Sequence, residues 1–529
     1  MPCPLNELAG HNWTWVAPAA FHGGQWTSEH ACIYQFATVN ATSLQFESSP
    51  FCLADSWHKG LPGSSAIAVL SADGKHLDFE FADRGGVHVK HRGWSTAECS
   101  LIDMDDGSSF MRGYPHGRSH PMDFSPHEWL RVAAAWVVRS ALVTLPGGRP
   151  VITPGIPVSP GAPPHYNGFW MRDGFYGISS GWPLVNASRQ KLYRDGAELI
   201  FSQPRSDGVL PGNCMADGTC IYGTGVFEDG YRCNGTEGAP AWRGCQDLDT
   251  GSFAVKLAAH IWQAMESRAE RDAWYSKWGK TLARALNATT RSSDGSGMVW
   301  SNTSRPQVGY GFQDMEVKSG AVLYSSVLYW NASRLLATMA RASGDAHVAE
   351  DFDARANRLQ ASATGALWDD SRGVFMASTG LESDNVDVWG NAFAGASGFV
   401  TAEQSRRIFE FFKREEANIF YEGQVREIPF PAQWHDGSRP GRVDPFSTLR
   451  RYQNGGFWAT PHHHVLPFLG QHDRARACRL LNATIASFRG HGIWEWVGPF
   501  WPSDIGGAPG YTASATNTYF ASEHLRCWE

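Results

Sequence analysis

From residue 125 onward the apolar residues of this chain recur at helical spacing, and they do so in twelve separate segments. The first sets Leu130, Ala134, Val137, Val138 and Leu142 on one face and ends at the breaker Pro146-Gly147-Gly148. Eleven more are expected at about 173–182, 188–203, 251–266, 270–287, 317–342, 346–367, 388–399, 401–416, 456–469, 472–488 and 512–525. Short joints such as Glu266-Ser267-Arg268 and Ala342-Ser343-Gly344-Asp345 make several of them antiparallel hairpins. Their stripes are distinct: Ala254, Leu257, Ile261 and Met265 in one helix, Trp274, Trp278, Leu282 and Leu286 in the next. No fixed-period repeat occurs, which removes a consensus solenoid and leaves a closed ring of six unequal hairpins as the arrangement that fits the count.

Residues 1–124 read differently. Alternating runs such as Leu77-Asp78-Phe79-Glu80-Phe81 and Val87-His88-Val89-Lys90, set apart by Ala72-Asp73-Gly74 and Arg84-Gly85-Gly86, predict strands and turns in a β-rich, β-sandwich-like domain. The domain division is therefore 1–124 and 125–529. Between the hairpins run long Gly-, Trp- and Asp-rich loops at 204–250, 288–316, 417–455 and 489–511. Loops of that length inside a compact domain usually carry function.

Composition removes several function classes. With 45 Lys plus Arg against 52 Asp plus Glu, the net charge of −7 offers no basic face to a nucleic-acid backbone. The mean hydropathy is −0.33, and the longest apolar candidate, Trp129 to Val143, is interrupted by Arg131 and Arg139, so no membrane span is expected. Eight Asn-X-Ser/Thr sequons, at Asn12, Asn40, Asn186, Asn234, Asn287, Asn302, Asn331 and Asn482, accompany ten Cys. Cys214 and Cys220 bracket a short turn, and Cys233 and Cys245 a Gly/Pro-rich stretch, as loop disulfides do in an oxidising compartment. A secreted or lumenal glycoprotein is the expectation. The start Met1-Pro2-Cys3-Pro4 lacks a basic n-region and an apolar h-region, so any signal is expected to have been removed or replaced.

At the loop ends, aromatic residues coincide with charges and amides: Trp170-Met171-Arg172-Asp173, Tyr310-Gly311-Phe312-Gln313-Asp314-Met315-Glu316, Tyr452-Gln453-Asn454-Gly455-Gly456-Phe457-Trp458 and Trp494-Glu495-Trp496. Flat C–H faces of sugars stack on aromatic rings, and sugar hydroxyls pair with carboxylates and guanidinium groups. A carbohydrate is thus the expected partner, with no cofactor and no metal. The run His462-His463-His464 is a poor metal site, since neighbours on a helix point about 100° apart. Gly177-Ile178-Ser179-Ser180-Gly181 has nucleophile-elbow spacing but no apolar strand ahead of it. Asp247 and Asp249 precede a helix, where capping is the commoner duty of a carboxylate. Trp434-His435-Asp436 is a further candidate of the same kind.

The run Gly147 to Pro154, followed by His165-Tyr166-Asn167-Gly168-Phe169-Trp170-Met171-Arg172-Asp173, resembles the first-hairpin region of glucoamylase-type six-hairpin glycosidases. That resemblance assigns Arg172 and Asp173 to hydroxyls of the terminal sugar. Tyr310 to Asp314 is similar to the Gly-aromatic-Asp element of trehalase-like and processing-glucosidase-like members, which makes Asp314 the general acid. Glucoamylase-like enzymes use a Glu for this step, and Glu316 is the alternative. Asp314 is preferred because it directly follows the aromatic loop, whereas Glu316 is entering the helix. Ile493 to Trp496, then Gly506-Gly507 and Gly510 to Ser514, resembles the last-hairpin element, in which Glu495 would be the general base. The loop Tyr452 to Pro461 resembles the Asn-Gly-Gly-aromatic loop that lines the terminal-sugar subsite, bringing in Gln453, Asn454, Gly455 and Trp458. With Trp170, Trp494 and Trp496 these residues make up the expected sugar pocket. The chain departs from the glucoamylase pattern in that its only adjacent Glu pair, Glu415-Glu416, ends a predicted helix. It departs from the processing glucosidases in offering only Trp242-Arg243-Gly244-Cys245 for their Trp-Arg-Gly-Pro element.

The resemblance implies an (α/α)6 barrel and an inverting, exo-acting glycoside hydrolase, with an α-glucoside or related hexoside as substrate. Such hydrolysis requires a protonated carboxyl for the leaving oxygen and an ionised one for water. Two other classes stay open on sequence: a polysaccharide lyase on a helical toroid, using Tyr or His to take a proton beside a uronate, and a non-catalytic carbohydrate-binding protein.

Overall fold

The computed structural model describes residues 12–16, 21–22, 25–26, 31–40, 43–48, 65–71, 76–82, 88–95, 101–104, 109–112, 125–145, 149–154, 168–215, 218–222, 248–289, 295–301, 318–434, 452–498 and 505–529. In the N-terminal part the strands are β1 (Asn12–Val16), β2 (Ala31–Asn40), β3 (Ser43–Ser48), β4 (Ser65–Leu70), β5 (Leu77–Ala82), β6 (His88–Ser95), β7 (Leu101–Met104) and β8 (Ser109–Arg112). They pair antiparallel in the order β1-β8-β7-β6-β5-β4-β3-β2, and β1 also pairs with β2. The β-rich expectation holds, and the sandwich-like description sharpens to one sheet whose edges meet, which leaves no open strand edge.

Twelve helices of ten or more residues follow among the described residues: α1 (Pro126–Ser140), α2 (Met171–Gly181), α3 (Ala187–Phe201), α4 (Thr250–Ala264), α5 (Arg268–Thr289), α6 (Leu323–Ala342), α7 (Ala346–Leu367), α8 (Val388–Ser397), α9 (Ala402–Arg414), α10 (His462–His472), α11 (Arg474–His491) and α12 (Thr512–Leu525). The even-numbered helices touch in the order α2-α4-α6-α8-α10-α12, and α12 returns to α2. The odd-numbered helices pack outside them. This is the (α/α)6 barrel.

Burial explains which helix goes where. In α4 every residue from Thr250 to Ala259 is buried, so the helix is enclosed by protein on all sides. In α5 the buried residues follow one stripe through Trp274, Trp278, Leu282 and Leu286, and the opposite face meets solvent. Local signals set the ends. Ser125 and Glu128 form a reciprocal capping box at the start of α1, with Pro126 in the first turn; Thr401 and Gln404 do the same for α9.

Three boundaries differ from the periodicity reading. Leu142 leaves the face of α1, because the chain turns at Ala141 into the strand Leu142–Leu145, which pairs with Arg149–Ile152. Helix α6 starts at Leu323, since Gly320 and Ala321 pair with Ser301 and Trp300. Helix α10 starts at His462, since Phe457 and Trp458 are held extended against Val497 and Val425.

Candidate functional site

The starts of the six inner helices meet at one end of the barrel. Thr512 at the head of α12 donates its backbone N–H to Pro154 O (2.6 Å), near α2; Leu323 of α6 donates to Ala377 O (3.0 Å) in the loop before α8. Phe457 and Val497 exchange backbone hydrogen bonds between the loops before α10 and α12. All described residues expected at the sugar site lie in this layer.

Arg172 and Asp173 occupy the first turn of α2. The Arg172 Nε is 2.9 Å from Asp249 Oδ2, and the Asp249 side chain is fully buried. Asp249 stands at the N-cap of α4 but makes no side-chain cap hydrogen bond. The capping duty expected for it is therefore overturned: the guanidinium takes the carboxylate, a charge-assisted interaction stronger than one neutral N–H can offer. Asp173 is buried as well and accepts a hydrogen bond from the hydroxyl of Tyr511, the residue just before α12. The first turns of α2, α4 and α12 are thus joined by polar contacts at the level of Asp173.

Glu495 lies on the ribbon Trp494–Val497, paired with Ile505–Pro509, and is 3 % exposed. Two residues further on, Val497 is tied to Phe457, which fixes the ribbon against the next loop. Trp458 and Trp496 on these loops are buried. They pack around Tyr452, with centroids 5.2 and 6.1 Å from its ring, and Trp458 also meets Trp389 edge-on at 5.9 Å. These two indoles back the site, while Trp170 and Trp494 keep part of their surface open.

The Asn-Gly-Gly loop is held by backbone geometry. Gly455 has φ of +111°, which side chains disfavour, and a Cβ on Gly456 would come within 2.6 Å of Tyr452 O. The Gly455 carbonyl accepts from Arg426 Nε at 2.7 Å; Asn454 Oδ1 accepts from Trp434 N at 3.0 Å, and Gln453 O accepts from the Trp434 indole at 2.9 Å. Trp434 is in this way tied to the same loop, whereas His435 and Asp436 lie outside the described residues.

Asp314 and Glu316 also lie outside the described residues. The chain resumes at Lys318, whose ammonium is 3.3 Å from Asp387 Oδ2, both side chains fully buried, and 4.4 Å from the centre of the Trp434 ring. Asp387 caps α8 by accepting from Gly390 N at 2.8 Å, so the pair ties Lys318 to an inner helix.

Sequence reasoning missed Lys318, Asp387, Arg426 and the part played by Tyr511. The available signal was a charge inside an apolar run, as in Val386-Asp387-Val388-Trp389 and Val425-Arg426-Glu427-Ile428.

The three consecutive histidines point apart. His462 bonds Thr518 Oγ1 and Gly423 O, each at 3.0 Å; His463 bonds Ser180 Oγ at 3.0 Å and stacks on Phe520; His464 faces Tyr324 and Phe393. Among the described residues no group of three or more His, Cys, Asp or Glu could hold a metal ion. None of the described helices is long and apolar enough to cross a membrane. Cys214 and Cys220 are bonded as the turn between them suggested, and Cys478–Cys527 forms a second disulfide; Cys233 and Cys245 lie outside the described residues.

No protein-family model matches the chain, and no curated protein does. Solved structures do. A GH63 mannosylglycerate hydrolase from Thermus thermophilus in complex with glucose is similar at 14 % identity and a TM-score of 0.52, over 74 % of this chain and 99 % of that one. A rhamnosidase from Klebsiella oxytoca with rhamnose bound is similar at 14 % identity and a TM-score of 0.52, over 96 % of this chain and 84 % of that one. The second match reaches well beyond the helices into the N-terminal strands. At these identities the likeness is one of fold: the chain carries the six-hairpin (α/α)6 barrel found in these glycoside hydrolases.

Proposed function

We propose that the protein is a glycoside hydrolase that inverts configuration and acts on chain ends, with an α-glucoside or related hexoside as substrate. One observation carries the reading: the buried carboxylates Asp173, Asp249 and Glu495, together with Arg172 and the half-open Trp170 and Trp494, gather at the heads of the inner helices. Solved proteins of the same fold hold glucose and rhamnose.

In this reading Asp314 donates its proton to the leaving oxygen, with Glu316 the alternative, and ionised Glu495 draws a proton from the water that attacks the anomeric carbon. Arg172 and Asp173 take hydroxyls of the terminal sugar, and Tyr511 holds the Asp173 carboxylate in place. Gln453, Asn454 and Gly455 line the facing wall, with Trp458 and Trp496 behind them. Two disulfides and the sequons support a secreted or lumenal setting.

The test is incubation with a panel of α- and β-linked disaccharides and glycosides, followed by proton NMR. Release of the anomer opposite to the substrate linkage supports the proposal. Release of the same anomer removes inversion, an unsaturated product transfers the protein to the lyases, and binding without turnover leaves a carbohydrate-binding protein.

A further inference from the structure

Lys256 is on α4, seven residues beyond Asp249 and so about 10 Å deeper along the barrel at about 1.5 Å per residue. Its ammonium is 4.6 Å from the centre of the Phe175 ring on α2 and 4.6 Å from that of Phe393 on α8. In the ring order α2 and α8 are diametrically opposite, so a group equidistant from both stands on the barrel axis. The side chain reaches from α4 toward α10, its own opposite, which carries His463 and His464. Tyr176 of α2 and Tyr324 of α6 complete the layer, their hydroxyls 3.3 Å apart.

Among the described residues no carboxylate is bonded to this cation. Among the described residues Lys256 makes neither a hydrogen bond nor an ion pair, and burial alone lowers its proton affinity. Aromatic faces attract the ammonium but accept none of its N–H bonds in the manner of an oxygen. His464 is 3 % exposed, neither of its ring nitrogens makes a hydrogen bond of good geometry, and burial keeps the imidazole neutral at pH 6, with a backbone interaction at Trp389. Asp249 at the head of the same helix and Asp387 at the head of α8 are engaged with Arg172 and Lys318. Lys256 nonetheless retains 7 % exposure. A buried ammonium without a partner is costly, and an anion is the ligand that satisfies it: the ammonium excludes a metal ion, and a neutral hydroxyl leaves the charge unmatched.

We propose that Lys256, beside His464, forms an anion site on the barrel axis that takes a halide, formate or a single carboxylate group. The anion has two sources, a free ion from solvent or the carboxylate of an acidic sugar entering from the Glu495 end. The second rests on the carbohydrate reading above; the first does not.

Thermal unfolding tests this without any turnover. At pH 6 and constant ionic strength, replacing a bulky morpholine-sulfonate buffer by chloride or formate should raise the midpoint by several degrees, and Lys256→Met should abolish the rise. Glucuronate at millimolar concentration should act like formate where glucose does not if the carboxylate arrives on a sugar; formate and chloride acting alone assign the site to free ions. Absence of every anion response, or an equal response in Lys256→Met, overturns the proposal. Should that variant fail to fold, the wild-type response decides between pH 6 and pH 9: it should vanish at the higher pH as the ammonium is lost, and persistence rejects Lys256 as the binding group.

Discussion

The hydroxyl of Tyr511, at the head of the last inner helix, donates to the carboxylate of Asp173 on the first, across 338 residues of chain. The bond orients a residue assigned to sugar hydroxyls without itself reaching the scissile bond. Tyr511→Phe should lower kcat/KM roughly ten-fold or more, at about 1.5 to 3 kcal/mol for a hydrogen bond to a charged group, with a smaller effect on the unfolding midpoint. Unchanged steady-state kinetics would remove Tyr511 from the site.

Asp314→Asn and Glu495→Gln should each reduce glycoside turnover by about a thousand-fold or more, because neither amide can give or take the proton required. Thermal unfolding of both variants should stay near that of the parent. If Asp314→Asn retains full activity, Glu316→Gln is the next variant to assay for the acid.

The Arg172–Asp249 pair makes a separate prediction about stability. Asp249→Ala strands a guanidinium that is only 12 % exposed and should cost about 3 to 5 kcal/mol in urea unfolding. The double variant Arg172→Met/Asp249→Leu removes both charges and should recover much of that loss. A double variant as unstable as the single one would contradict this account.

Buried bases give the pH profile its shape. Burial lowers Lys256 from 10.5 to about 7. Between those values the unfolded chain holds the extra proton, so stability should rise with pH through this window. Lys256→Met should flatten that limb and raise stability near pH 7 by a few kcal/mol at most. On the acid side, burial lowers His462 from 6.5 to about 4 and His464 to about 3. The unfolded chain there takes protons first, and stability should fall as pH drops from about 6.5 toward 4. A profile flat across both windows would refute the assignment.

The Cys478–Cys527 disulfide closes a separation of 49 residues, and its loss in a Cys478→Ala variant should cost about 4 kcal/mol in the chain-entropy estimate. Non-reducing peptide mapping should recover that pair and Cys214–Cys220.

The helices were legible because their apolar stripes are long and their caps explicit: the face through Leu130, Ala134, Val137 and Val138 is buried as the spacing demands. Helix ends were less so. Phe457 and Trp458 carry no local sign that strand bridges from Val497 and Val425 will keep them out of α10. The site was legible as motifs but not as partnerships. Asp249 looks like a cap in sequence because capping is local, and only the fold brings Arg172 to it from another hairpin. Trp458 and Trp496 look alike in sequence to Trp170 and Trp494, yet the first two are buried and the others are partly open, a difference set by tertiary neighbours. Lys256, a lone charge within an apolar inner helix, was visible in sequence; its place on the axis required the opposed rings of Phe175 and Phe393.

The ring is sealed only by α12, which packs on both α1 and α2. On the ribosome, eleven of the barrel helices emerge before that seam can form, each inner helix with an apolar flank awaiting a neighbour not yet made. The partly built barrel is an open crescent at this stage, so the slow and aggregation-prone step of barrel formation is the closing of the circle by α12.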